Sequence, residues 1–252
     1  MFLLLVAALL GTAVNGRHYN RIIGGYECSP NSKPWQATLH YFTQHNCGGV
    51  LIDKQWVLTA AHCQLQSIQI RLGEHDLDVY EGTEQFTYAS KICPHSGFNA
   101  RTYENDIMLL KLPEPVTLNE YVQTIDIACP PPTVGTRCLV SGWGTITSPA
   151  ENYPNTLQCA EVEIVSESVC KEAYSADEIT DDMLCAGILR GGIDTCQGDS
   201  GGPLVCDGKL YGITSWGHDP CAEAGYPGIY TKICNYLDWI QETKETEKDC
   251  LA

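Results

Sequence analysis

Asp194–Pro203 reads DTCQGDSGGP. Its serine, Ser200, is flanked by Gly198, Gly201 and Gly202, residues that accept φ > 0, so on its own the stretch is a tight turn. Pro203-Leu-Val, which follows, is β-prone, so the serine stands on a turn leading into a strand. Gly198-x-Ser200-x-Gly202 also fits the nucleophile elbow of α/β-hydrolases, but that arrangement needs the order serine, acid, histidine and a strand-to-helix turn. Two further islands lie upstream: LTAAHC (Leu58–Cys63), which carries His62, and NDIMLL (Asn105–Leu110), which carries Asp106. Both precede Ser200, so the elbow reading fails. Alone, His62 reads as a structural histidine and Asp106 as a residue heading a strand. Together the three islands supply a nucleophile, a base and an orienting acid, the parts needed to activate a hydroxyl at neutral pH.

Outward from these islands the chain is a succession of short β-prone runs: Trp35–Phe42, Gly49–Thr59, Ile68–Leu72, Ile107–Leu112, Arg137–Ser141, Leu157–Ile164, Pro203–Val205, Leu210–Ser215 and Gly228–Lys232. Gly, Pro, Asn or Asp turns bound them and no helical crossovers intervene, which predicts an antiparallel all-β architecture. Pro-rich ACPPPTVG at 128–135 predicts the connection between two halves. Tyr236–Lys248 is the one helix candidate, with Leu237, Trp239 and Ile240 on one side.

Length and composition set the outer limits. The chain's 252 residues suffice for one large β domain or two small packed halves. With 44% hydrophobic and 18% charged residues it is neither collagen-like nor disordered. Fifteen Lys+Arg against 31 Asp+Glu give a formal charge of −16. That excludes a phosphate-neutralising nucleic-acid binder and favours the approach of cationic ligands. Fourteen cysteines, dispersed rather than paired as CxxC, read as disulfides made in an oxidising compartment. MFLLLVAALL and the small residues through Gly16 read as a secretory signal, 1–16, too short to span a bilayer. A soluble, exported, extracellular protein is expected, with no membrane partner.

LTAAHC, NDIMLL, CQGDSGGP, Ser215-Trp216-Gly217 and Ile22-Ile23-Gly24-Gly25 together resemble the chymotrypsin-type serine peptidases, the trypsins above all. The resemblance runs from Ile22 to about Gln241. It implies two packed six-stranded antiparallel β-barrels, roughly 22–128 and 129–235, a C-terminal helix at 236–248, and an active site in the cleft between the barrels. It implies His62 as general base, Asp106 as its orienting acid, Ser200 as nucleophile, and the N–H groups of Gly198 and Ser200 as the oxyanion hole. This family is the reference case for that chemistry. Asp194 falls on the floor of the specificity pocket, where an acid selects Arg or Lys. Gly217 and Gly228 leave its walls open, and Ser215 and Trp216 complete the substrate-binding set.

The same resemblance makes 17–21 (RHYNR) an activation propeptide. Cleavage at Arg21-Ile22 frees an amine that pairs with Asp199. The propeptide lacks the acidic run of digestive trypsinogens, which points to another tryptic enzyme or to self-cleavage. Implied partners are protein or peptide substrates with Arg or Lys at the cut, and protein inhibitors. The implied enzyme is a monomer that needs no cofactor for its chemistry. A catalytically dead binding scaffold would show a substitution in the triad or the activation site, and none is present. Chymotrypsin- or elastase-like specificity is disfavoured by Asp194. Digestive and kallikrein-like processing roles both stay open.

EHDLDVYEGTE at 74–84 holds five acids in eleven residues. By composition it is a solvated acidic loop. By resemblance it is a calcium loop, with carboxylates from Glu74, Glu81 and Glu84 and carbonyls from Asp76 and Val79 in an oxygen-only shell suited to structural Ca²⁺. Fourteen cysteines allow on the order of 10⁵ pairings. The resemblance implies Cys28–Cys159, Cys47–Cys63, Cys129–Cys234, Cys138–Cys206, Cys170–Cys185 and Cys196–Cys221. Cys93 and Cys250 lie outside that pattern; they either pin the C-terminal helix to the first half or stay free, a bond being the favoured alternative.

Overall fold

A computed structural model describes residues 22–248, 250 and 251. The expected signal, the propeptide and Arg21 lie outside the described residues. Fourteen strands form two antiparallel sheets of seven. The first comprises β2 (Gln36–Tyr41), β3 (Gln44–Asp53), β4 (Trp56–Thr59), β5 (Gln69–Leu72), β6 (Gln85–Tyr88), β7 (Lys91–Pro94) and β8 (Met108–Lys111), in the order β6-β5-β2-β3-β4-β8-β7. The second comprises β1 (Tyr26–Glu27), β9 (Arg137–Gly142), β10 (Gln158–Val165), β11 (Met183–Gly187), β12 (Pro203–Cys206), β13 (Lys209–Trp216) and β14 (Gly228–Lys232). Pairing of β9 with β10 closes β9–β14 into a six-stranded barrel, and β1 adds to the outside of β10. The N-terminal strand therefore belongs with the second sheet, although it precedes the first in sequence. The fold is the expected all-β, chymotrypsin-like one.

Alternation explains the barrels. In β10, Ala160, Val162 and Ile164 are buried while Glu161 and Glu163 face out, the period of two that a half-buried strand requires. Their inward partners include Val140, Leu204 and Tyr230; Leu39, Val50, Leu58, Ile70 and Leu110 fill the first barrel. Each such aliphatic side chain contributes about 1.5–3 kcal/mol on burial.

The run Gly49–Thr59 divides into β3 and β4 around a turn at Lys54-Gln55. The C-terminal helix α2 spans Leu237–Thr246 and follows a 3₁₀ turn, Ile233–Tyr236. Its buried face carries Ile240 and Thr243 with Tyr236 just ahead, while Leu237 is 41% exposed, not inward as expected. One residue turns a helix by about 100°, so Leu237 falls to the edge of the face centred on Tyr236, Ile240 and Thr243. A short helix, α1 (Glu167–Ala173), had no sequence expectation; Ser166 caps it by accepting from the Val169 N–H at 3.3 Å.

Seven disulfides join the fourteen cysteines, the six implied pairs and Cys93–Cys250. The last ties the tail to β7, where Leu251 also bridges Ile92, and Glu247 pairs with Lys91 and Lys111. Among the described residues no helix is long and apolar enough to cross a membrane.

Candidate active site

His62 stands in a 3₁₀ turn, Ala61–Cys63, fastened to β3 by Cys47–Cys63. Its Nδ1 lies 2.7 Å from Asp106 Oδ2, and its backbone N–H donates to Asp106 Oδ1 at 2.9 Å. Asp106, fully buried, heads the approach to β8. Ser215 Oγ donates to Asp106 Oδ2 at 2.5 Å, and Thr231 Oγ1 donates to the Asp106 carbonyl at 2.6 Å. A carboxylate accepts only, so Nδ1 of the neutral ring carries the proton and Nε2 offers its lone pair. Ser200 and His62 line one cavity of about 180 Å³ with Asp194, Ser215, Trp216, Gly217 and Gly228. Strands β13 and β14 of the second sheet supply part of its walls, and the first half contributes His62 and Tyr103 from outside its strands.

The serine turn is held from several sides. Asp199 N–H donates to Cys196 O at 3.0 Å, and Gly202 N–H to Asp199 O at 2.9 Å. Gly48 N–H of β3 donates to Ser200 O at 2.8 Å, tying the first sheet to the turn. Gly198 has φ +92°, a conformation that favours glycine. Asp199 is buried, with Gly144 N–H on Oδ1 at 2.8 Å and Cys196 N–H on Oδ2 at 3.0 Å; burial pushes its carboxyl up to about 7. Ile22 is buried in the second core against residues such as Val140 and Ala160. The next residue reaches the pocket floor directly, since Asp194 N–H donates to Ile23 O at 3.1 Å.

Asp194 is 3% exposed. Thr195 N–H donates to its Oδ1 at 2.9 Å and Ala222 N–H to its Oδ2 at 3.3 Å; burial nonetheless pushes its carboxyl up to about 7. A Cβ on Gly228 would stand 2.9 Å from Asp194 Oδ1, so only glycine leaves that carboxylate open to the cavity.

The family model described as Trypsin matches residues 22–240. The chain belongs to the trypsin family. It is a trypsin-like serine endopeptidase. It is 51% identical to cationic trypsin-3 of Rattus norvegicus, over 95% of this chain and 97% of that protein. It is 52% identical to trypsin of Sus scrofa, over 89% of this chain and 96% of that one. Among solved structures it resembles neuropsin, a serine protease expressed in the limbic system of mouse brain, with a TM-score of 0.84 and 50% identity, covering 87% of this chain and 98% of that chain.

In this trypsin-family chain the acidic loop also gathers. Oxygens of Glu74, Glu81 and Glu84 lie within 4.8 Å of one another. Ligand oxygens on a sphere of about 2.3–2.6 Å radius span at most about 5 Å, so the three carboxylates fit one Ca²⁺. Glu84 Oε2 is buried without a hydrogen-bond partner. Burial pushes Glu74 up to about 7, and Glu84 and Glu81 add to the shift against the pull of Arg71 at 3.5 Å. Asp76 and Val79 sit at the loop's turn, where Val79 N–H donates to Asp76 O at 3.0 Å.

Sequence reading missed three trypsin-site neighbours. Thr231 supports Asp106 from β14, Tyr103 packs edge-on to His62 with centroids 5.4 Å apart, and His45 Nε2 lies 2.9 Å from Gly198 O. Thr231 and Tyr103 stand in ordinary polar-aromatic surroundings with no local signature. His45, two residues before Cys47, carried no more signal than any lone histidine.

Proposed function

We propose that the protein is a secreted endopeptidase that hydrolyses peptide bonds after Arg or Lys, made as a zymogen and activated by cleavage at Arg21-Ile22. One observation carries the specificity: a buried carboxylate, Asp194, lies in the cavity that Ser200 and His62 also line. A guanidinium or ammonium entering there pairs with Asp194, whereas an apolar side chain leaves the acid unpaired. Ser200 Oγ attacks the scissile carbonyl while His62 Nε2 takes its proton. The imidazolium is stabilised by Asp106 and then gives that proton to the leaving amine. The carbonyl oxygen, now anionic, is received by the N–H groups of Gly198 and Ser200, each worth about 3 kcal/mol. Water repeats the sequence on the acyl-enzyme. The net charge of −16 draws cationic substrates from a distance. Seven disulfides and the leader-like 1–16 support secretion.

Anilides of Arg and Lys assayed before and after tryptic cleavage test the reading. Turnover is expected after cleavage only, and a profile led by Phe or Leu would overturn it. Activation rests on Asp199, a buried acid whose two backbone donors bring no full charge; the α-amine freed at Ile22 supplies it. Acetylating that amine in the cut enzyme is expected to reduce activity by about 10²-fold or more, the scale of losing an ordered oxyanion donor. Unchanged activity refutes the coupling.

Ca²⁺ would be held by the carboxylates of Glu74, Glu81 and Glu84 with carbonyls of Asp76 and Val79, supplying stability and no chemistry. Saturating Ca²⁺ at a hundredfold excess over Kd is expected to raise Tm by about 5–10 °C relative to chelated protein. Glu74→Gln should abolish that difference. Equal melting with calcium and with chelator would dismiss the metal.

A further inference from the structure

Gly198 O is reached through a chain of side chains that starts on the outer face of the first barrel. His45 Nε2 stands 2.9 Å from Gly198 O, Thr38 Oγ1 stands 2.8 Å from His45 Nδ1, and His40 Nε2 stands 2.9 Å from the same Thr38 Oγ1. Register puts the three residues on one face, since His40 is cross-strand from His45, and Thr38 lies two residues before His40 on β2. His40 is 2% exposed.

The bonds can run in one direction only. A carbonyl oxygen accepts, so His45 Nε2 carries a proton. Burial holds the His45 ring neutral near pH 7, its pKa lowered to about 4, so Nδ1 is a bare lone pair and the Thr38 hydroxyl must donate to it. The Thr38 oxygen has then spent its single proton and accepts from His40 Nε2–H. On the other edge of His40, Nδ1 is buried without a partner at hydrogen-bond geometry, and the Thr43 backbone is the one group beside the ring that favours its protonation. Burial first, then Arg71 and His45, lower the His40 pKa to about 4. Were His40 to place its proton on Nδ1, two imine nitrogens would face one hydroxyl proton, and His45 would lose the donor that fixes its tautomer.

The end of the chain matters because of where Gly198 lies. Along the chain its carbonyl lies between the Gly198 and Ser200 N–H groups, and glycine at φ +92° has no Cβ to restrict its rotation. We propose that His40 is a positioning residue for amide hydrolysis, setting the direction of the His40–Thr38–His45 chain that locks the Gly198 carbonyl and thereby the two oxyanion donors. Electrostatic stabilisation of this kind depends on donors being aimed in advance, and modest misplacement is costly.

His40→Leu removes the first donor while keeping bulk, and His40→Gln returns an N–H. In active-site-titrated, cleaved enzyme, His40→Leu is expected to lower kcat on an anilide that the wild type turns over by about tenfold, with KM and benzamidine affinity within about twofold. His40→Gln should recover most of the loss. Thr38→Val should match His40→Leu, and the double variant should be no slower than either single one, since each breaks the same chain. In ¹⁵N-histidine spectra, wild-type His45 should show one tautomer with the proton on Nε2, and His40→Leu a mixture. Wild-type kcat in folded His40→Leu, or multiplied losses in the double variant, would overturn the proposal. An inactive wild type would instead refute the peptidase reading on which the assay depends.

Discussion

Ser200→Ala is expected to lower kcat for amide hydrolysis by about 10⁶-fold while leaving Tm within about 2 °C of the wild-type value. The size follows from the division of labour in the cleft. His62 and Asp106 only make a hydroxyl reactive, so with Oγ gone they have nothing to activate, and the acyl-enzyme route closes. What remains is water attacking a carbonyl held by the Gly198 and Ser200 N–H groups, whose backbone the substitution leaves in place. Stability is spared because the turn is held by backbone bonds from Gly48, Gly201 and Gly202, none of which uses the serine side chain. The check is anilide turnover against active wild type, with benzamidine binding as proof of an intact pocket. Turnover at the wild-type rate in the variant would remove Ser200 from the mechanism.

The all-β fold and the serine turn were legible in the sequence for one reason: each depends on short local patterns. Alternating apolar residues in β10 and the glycines around Ser200 are dictated by pleat and turn geometry, which leave marks within a few residues. The edge strand β6 alternates the other way round: in Gln85–Tyr88 the aromatic residues Phe86 and Tyr88 face out while Gln85 and Thr87 are partly covered, so its pattern does not point to the core. β11, Met183–Gly187, is buried on both faces and so shows no alternation. Contacts between distant strands were the least legible. Thr231 supports Asp106 across 125 positions and His45 meets Gly198 across 153, and neither pairing leaves a mark at either end. The pairing of Cys93 with Cys250 belongs to the same class. Two cysteines outside the family pattern say that a bond is available, and only the path of the tail along β7 brings them together.

Asp194→Ser is expected to cut kcat/KM for Arg and Lys substrates by about 10²–10⁴-fold, the equivalent of about 3–5 kcal/mol for breaking a buried ion pair, and to raise relative activity on apolar residues. The carboxylate is walled in, with two backbone N–H donors and no cation of its own, so the charge of the substrate is its natural counterpart. The pH dependence gives the argument a second handle. Burial has raised this acid to about 7, so below that pH the empty pocket holds a proton that an incoming guanidinium must expel. KM for an Arg anilide should therefore fall as pH rises from 5.5 towards 8, by up to about tenfold per unit on the acid side. Asp199, the buried acid that meets the Ile22 amine, is kept in Asp194→Ser, so that variant acts as an internal control for it. If the variant keeps both the preference for Arg and the slope of KM with pH, the acid that selects the substrate is not Asp194.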